Sequence, residues 1–372
     1  MFLWKTLGLI FNRKEADNVK SHPKTRRIDF LPKRTSDKVS ISIRDKALEL
    51  HSKSLVIDGC QSSNFIDSYF KTVKEAGVTA AITTVAWTHN LYESIKRISA
   101  WYSKIDRNSD LAVFAWNVEH IFRAKKEGKV AYFFALQDTT PLEGDVNILD
   151  VLHRLGIGII QLTYNEKNSV GDGCGERTNC GLSEFGIKVV GRMNKLDLIV
   201  DLSHTGDRTT EEAIELAEIP VFSHSNARAL CENVRNKTDE QIRSVAEKGG
   251  IIGVNAFPSF VKRRRTEKGE LPTVNDLLDH IEYIIRLVGV NYVGLGLDFI
   301  ENATAEEYVL LRSRPDIWGL PTLKGVYEYA SNIQTVSEIF NITLGLVARG
   351  YSDREIRKIL GENWVRVLSR AG

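Results

Sequence analysis

Cysteine is scarce in this chain: Cys60, Cys174, Cys180 and Cys231 are the only four among 372 residues, too few for a disulfide scaffold at this size. No stretch reaches the roughly 20 apolar residues that a membrane-crossing helix needs. The opening MFLWKTLGLIF is largely apolar, but Arg13 and Lys14 come after it. A secretory signal has the reverse order and a small-residue cleavage site, which is missing here. A weak surface anchor with basic support, or a docked tail, are the roles left for that segment. The expected address is cytoplasmic, with at most weak peripheral membrane association through these first residues. No GxGxxG or Walker pattern occurs, so nucleotide cradling has no support. Nor does any Gly/Ser/Pro linker, internal repeat or low-complexity segment divide the body.

Charge is balanced overall and uneven locally. The formal net charge is +2, yet residues 1–45 hold eleven Lys/Arg against five acids. That arm reads as a solvated basic extension; a nucleic-acid surface would interleave basic and aromatic residues on a folded face. Nucleic acid is therefore not an expected partner. The division expected is a basic arm over residues 1–45, with flexibility as one expectation for it, and one folded body over 46–372.

What the chain does have is a repeating grammar. Apolar β-type runs recur at SLVIDGC (54–60), VTAAITTVA (78–86), VAYFFALQ (130–137), IGIIQLTY (157–164), LDLIVDLSH (196–204), IPVFSHS (219–225), GIIGVNAF (250–257) and YVGLGLDF (292–299). Helical patterns fall between them, at 65–76, 91–127 (expected as two helices), 146–155, 182–196, 209–217, 238–248 and 274–288. Further helical pattern follows at 325–347 and 353–368. Near-continuous apolar strands alternating with amphipathic helices specify a parallel sheet buried on both faces. Eight such units predict a closed α/β (β/α)₈ TIM barrel.

In such a barrel the chemistry gathers where the strands end. The residues there are Asp58, Cys60, Ser62, Gln137, Asp138, Tyr164, Asn165, His204, His224, Asn255 and Asp298. His204 and His224 end neighbouring strands, which makes them half of a divalent-metal site, because neutral imidazole suits zinc and its neighbours. Asp298, past the last strand, has the placement of an acid that orients or deprotonates a metal-bound water; a turn acid is the plainer role for it. Arg235, eleven residues beyond His224, offers a fork suited to a substrate carboxylate, and otherwise a solvated loop charge.

The segments LGIGIIQLTYNEKN (155–168), GLSEFGIKVVGRMNKLDLIVDLSH (181–204), PVFSHSNAR (220–228), RNKTDEQI (235–242) and YVGLGLDF (292–299) resemble the membrane dipeptidase (renal dipeptidase) family of metallopeptidases. The resemblance runs from about Leu55 to Leu368. It implies a barrel of the amidohydrolase type with two bridged zinc ions, cleaving dipeptides and some related amides, and it suggests a homodimer. By motif, His204 and His224 match the two histidines of the second zinc. Asp298 matches the acid that handles the catalytic proton, and Arg235 the arginine that holds the substrate carboxylate.

Departures from the pattern are concentrated at the first zinc. The family opens with Asp-Gly-His-Asn-Asp, and here Asp58-Gly59-Cys60-Gln61-Ser62 replaces both ligands. The bridging glutamate falls on Gln137, a poor bridge between two cations, while Glu143 lies too far along to replace it. The substrate-contacting histidine is Tyr164, and the aspartate after the last Asp-Phe pair is Ile300. The expectation is thus a hydrolase of dipeptides or small amides with an altered site holding at most one divalent ion, zinc by its ligands. His204 and His224 are its chief ligands, with Gln137 and Cys60 as further ones. Cys60 has two other roles open to it, nucleophile or buried thiol. Two alternatives stand beside hydrolysis: a non-hydrolytic enzyme acting on a peptide-derived metabolite in the same pocket, and a catalytically silent ligand-binding barrel.

Overall fold

The computed structural model describes residues 38–263, 270–304, 313–319 and 329–371. Strands β1 (Ile57–Gln61), β2 (Ala80–Ala86), β3 (Ala112–Phe114), β4 (Val130–Leu136), β5 (Ile157–Gln161), β6 (Ile199–Asp201), β7 (Pro220–Val221), β8 (Ile252–Val254) and β9 (Val293–Leu295) form one parallel sheet. Its order is β7-β6-β5-β4-β2-β1-β9-β8. The ring closes just past β7, where Phe222 N donates to Ile251 O at 3.0 Å and Gly253 N to Phe222 O at 2.7 Å. The eight expected apolar runs are the eight barrel strands.

β3 is the element that the sequence pattern hides, inside the stretch read as helical over 91–127. Helix Leu91–Arg107 ends at Asn108, and a second helix, Val118–Glu127, starts where the Asn117 side chain accepts from Glu119 N at 3.1 Å. Between them, three residues pair with the first half of β4, while β5 pairs with β4 from Phe134 onward. Three residues are too few to show a period of two.

Alternation along the strands sorts the side chains. Ala131, Phe133 and Ala135 of β4 pack inside the barrel with Ile82 of β2, Ile159 of β5 and Val221 of β7. Tyr132, Phe134 and Leu136 face the surrounding helices and pack with Trp101 and Leu152. Trp364, fully buried, fills the barrel floor, with its indole Nε1 donating to Leu295 O at 2.8 Å. A Cβ at Gly59 would lie 2.1 Å from that ring, so only glycine lets β1 pass over it. Gly296 is as constrained at the other end, its would-be Cβ falling 1.8 Å from Ser223 O.

The folded body begins before residue 46. Helix Lys38–Lys53 crosses the expected boundary, and His51 Nδ1 lies 2.8 Å from Thr343 Oγ1 on helix Phe340–Ala348. Residues 1–37 of the expected arm, with the apolar opening, lie outside the described residues, as do residues 325–328 at the start of the helical reading over 325–347. The final helical stretch runs through a π turn, Lys358–Glu362, into Asn363–Leu368. No helix among the described residues is long and apolar enough to cross a membrane.

Candidate metal centre

β6 and β7 are paired in register, Asp201 opposite Val221. His204 and His224 each follow three residues later, which delivers both imidazoles to the same end of the barrel. Their Nε2 atoms stand 2.9 Å apart, and both rings are buried. Each ring is held from behind through its other nitrogen. His204 Nδ1 lies 2.7 Å from Asn165 Oδ1. His224 Nδ1 lies 2.6 Å from the Ser223 hydroxyl, which donates to Asp201 Oδ2 at 2.6 Å. Tyr164 stacks on the His204 ring, centroids 4.3 Å apart at 19°, and Trp318 of the short helix Pro315–Trp318 covers both from the outside.

Across the mouth, β1 and β9 bring Cys60 and Asp298 together. The Cys60 Sγ to Asp298 Oδ1 separation is 3.6 Å, and Ser62 Oγ donates to the same oxygen at 3.1 Å. Asn255, past β8, donates from Nδ2 to Asp298 Oδ2 at 3.2 Å. Asp298 sits at φ +55°, in the left-handed region that non-glycine residues rarely enter. Ligand atoms of Cys60, His224 and Asp298 all lie within 4.8 Å of one another. Of the expected strand-end residues, Cys60, Ser62, His204, His224, Asn255 and Asp298 thus come together at one end of the barrel.

Gln137 reaches the same cluster in a different capacity. Its Nε2 lies 3.1 Å from Cys60 Sγ, 3.2 Å from Ser62 Oγ and 2.8 Å from Thr84 Oγ1, so it presents a donor where a metal needs a lone pair. Thr84 was not singled out from sequence, although strand parity could have found it. Ala80 and Ile82 face the barrel interior, which puts Thr84 on the same face and at the mouth. Glu143 is remote from the centre, on an exposed turn where its carboxylate accepts from Leu91 N at 3.1 Å. Asp138 accepts from Thr140 N at 2.6 Å and shapes that turn.

Burial shifts the titratable groups of the pocket away from their ordinary ranges. Burial holds both imidazoles well below their ordinary range, and the Arg235 and Lys237 cations add to this. Burial pushes the Cys60 thiol well up, with Asp298 reinforcing it. It raises Asp298 to about 6 despite the opposing Arg235, and raises Asp58 to about 7. Burial lifts the Tyr164 hydroxyl too, so it stays a donor.

Two cations lie behind the histidines. Arg235, fully buried, donates from Nη1 to Ser203 O and from Nη2 to His224 O at 3.2 Å, over the Phe260 ring at 5.1 Å. Its Nε is buried with no hydrogen-bond partner. Lys237, two residues on and equally buried, donates to Thr205 O at 3.1 Å and Thr210 Oγ1 at 3.4 Å. Sequence reading missed Lys237, since a lysine in a polar loop carries no sign of burial. Cys174 and Cys180 are free thiols, Cys174 donating to Asn165 Oδ1 at 3.4 Å.

The profile of the membrane dipeptidase family (peptidase family M19) matches residues 45–308. An amidohydrolase from Pseudomonas aeruginosa superposes with a TM-score of 0.79 at 34% identity, over 87% of this chain and 98% of that one. Dipeptidase verJ of Clonostachys rogersoniana is 27% identical over 284 residues, 74% of this chain and 66% of that protein. An uncharacterized dipeptidase of Schizosaccharomyces pombe is 30% identical over 248 residues, 64% of this chain and 55% of that one. The chain thus spans between about half and two-thirds of the length of these two relatives. Matching residues from helix Lys38–Lys53 to past the end of β9, on a (β/α)₈ barrel with the histidine pair at its mouth, place this chain in the membrane dipeptidase family of metallopeptidases.

Proposed function

We propose that the chain is a metal-dependent hydrolase of dipeptides or small amides that works with a single divalent ion, zinc by ligand chemistry. The observation that carries this reading is the convergence of two buried, neutral imidazoles, Nε2 to Nε2 at 2.9 Å, beside a thiol and a carboxylate. Buried polar atoms aimed at one another in this way suit a cation between them, and imidazole with thiolate suits zinc. His204 and His224 would hold the ion, with Cys60 within reach. Gln137, which turns its amide nitrogen on its neighbours, is better read as a hydrogen-bonding prop in the space of a first metal. A bound divalent ion supplies Lewis acidity and an acidified water.

The protein's own groups supply the rest. Asp298, steadied by Asn255 and Ser62, takes the proton. Its carboxyl, raised to about 6 by burial, is close enough to neutrality to give that proton back to a leaving amine. Arg235 has an unused Nε–H, which suits a substrate carboxylate, and the Tyr164 hydroxyl is a second donor at the mouth. Trp318 limits water at the centre.

Metal analysis beside a dipeptide hydrolysis assay tests the reading. One divalent ion per chain is expected, lost in His204→Ala and His224→Ala, with slow hydrolysis that a chelator abolishes. Two full-occupancy ions, or hydrolysis indifferent to the chelator, would overturn it.

A further inference from the structure

We propose that Asp201 is a positioning residue: acting through the Ser223 hydroxyl, it decides which nitrogen of His224 carries the proton and keeps the metal-facing Nε2 bare. The inference rests on the reading of His224 as a metal ligand, and it concerns residues that touch neither the ion nor the substrate.

Asp201, the last residue of β6, is buried. Its Oδ1 accepts from Ser203 N at 3.1 Å, Ser203 Oγ at 2.6 Å and Ser223 N at 3.0 Å. Its Oδ2 accepts from Ser223 Oγ at 2.6 Å. A serine hydroxyl has one proton, and a carboxylate at this distance claims it as a charge-assisted bond. Ser223 Oγ is left with lone pairs toward His224 Nδ1, 2.6 Å away, so that nitrogen must be the donor. The proton then sits on Nδ1 and Nε2 faces His204 as a lone pair. Asp201 is itself 3.9 Å from His224 Nδ1, too far to bond it directly. The Asn165 oxygen at His204 Nδ1 orders the other ring in the same sense.

The chain of donors makes an unusual substitution informative. In Asp201→Asn, the two backbone N–H groups of Ser203 and Ser223 hold the amide oxygen in the Oδ1 position, which leaves the amide nitrogen facing Ser223. Ser223 Oγ must then accept, its own proton turns to His224 Nδ1 at 2.6 Å in preference to Ser203 Oγ at 3.2 Å, and the ring proton moves to Nε2. One near-isosteric change, two hydrogen bonds away, blocks the nitrogen that the metal needs.

Long-range ¹H–¹⁵N NMR of the histidine side chains reads this directly in metal-free protein. The chain has eight histidines, and the His224 signals are assigned by their loss in His224→Gln. Expected are a protonated Nδ1 in the wild type, a bare Nδ1 with protonated Nε2 in Asp201→Asn, and zinc affinity about 10–100-fold weaker in that variant. Ser223→Ala should lose the fixed Nδ1 proton, and Ser223→Thr should keep it. A bare Nδ1 in the wild type overturns the proposal, as does an Asp201→Asn ring identical to wild type. Should Asp201→Asn fail to fold by circular dichroism, the wild-type and Ser223→Ala spectra decide. Because the spectra need no metal, absent hydrolysis with the expected ring states would count against the hydrolase reading and leave this relay standing.

Discussion

Lys237 gives the sharpest physical test. Burial pulls its ammonium from 10.5 down to about 7, against an opposing pull from Cys174 and Asp207 that the Arg235 and Arg228 cations in part cancel. Its group accepts protons less readily folded than unfolded, so the folded state pays a penalty that is full below about pH 7 and fades as pH rises toward 10.5. At about 1.36 kcal/mol per unit, that penalty approaches 5 kcal/mol. Lys237→Met removes it, and loses the bonds to Thr205 O and Thr210 Oγ1 at a cost of about 1–3 kcal/mol. Metal-free wild type and variant are compared by urea unfolding near pH 6 and near pH 9. The variant should be the more stable near pH 6, and its advantage should shrink by about 2–3 kcal/mol near pH 9. This double difference cancels every titration the two chains share. A pH-independent difference, or a variant that is weaker near pH 6, would refute the reasoning.

Other outcomes follow from the same geometry. Restoring the family ligands together, Cys60→His with Ser62→Asp and Gln137→Glu, should raise dipeptide hydrolysis and the metal content to two ions; each change alone should do little, which parallel assays and metal analysis would show. Asp298→Asn should lower kcat by about 10²–10⁴-fold if this acid moves the proton, and an unchanged kcat would exclude it from that role. Gly296→Ala drives a Cβ to 1.8 Å from Ser223 O, a backbone clash beyond ordinary overpacking, so folded yield should collapse; a well-folded variant would contradict the close approach. Trp318→Ala should expose the His204 ring, and faster modification of His204 by an imidazole-directed acylating reagent would register it.

The barrel was legible because its strands are buried on both faces and so read as apolar runs, and because the two histidines end strands that pair in register. Asp298 and Asn255 were found by the same rule. What the sequence concealed had physical reasons. β3 is three residues long and lies between two helices, and alternation needs more length than that. Arg235 was expected to offer a free fork, but two of its donors hold the carbonyls of Ser203 and His224, a local commitment that no spacing reveals. Asp201 lay in plain sight inside IVDLSH. Its use became visible only when β7 brought Ser223 alongside, a contact 22 residues apart in the chain.

Trp364 on the barrel floor also bears on how the chain is made. Its ring fits against Gly59 of β1, so this strand is completed by a side chain that leaves the ribosome long after it, behind all the other strands. At synthesis rates of about 5–20 residues per second, the two are separated by on the order of 15–60 s. For most of that interval β1 lacks its β9 partner, and for all of it its floor, so an apolar strand edge stands open to any other strand nearby. The nascent barrel therefore depends on whatever shields exposed edges around it until helix Asn363–Leu368 emerges and its indole closes the ring from below.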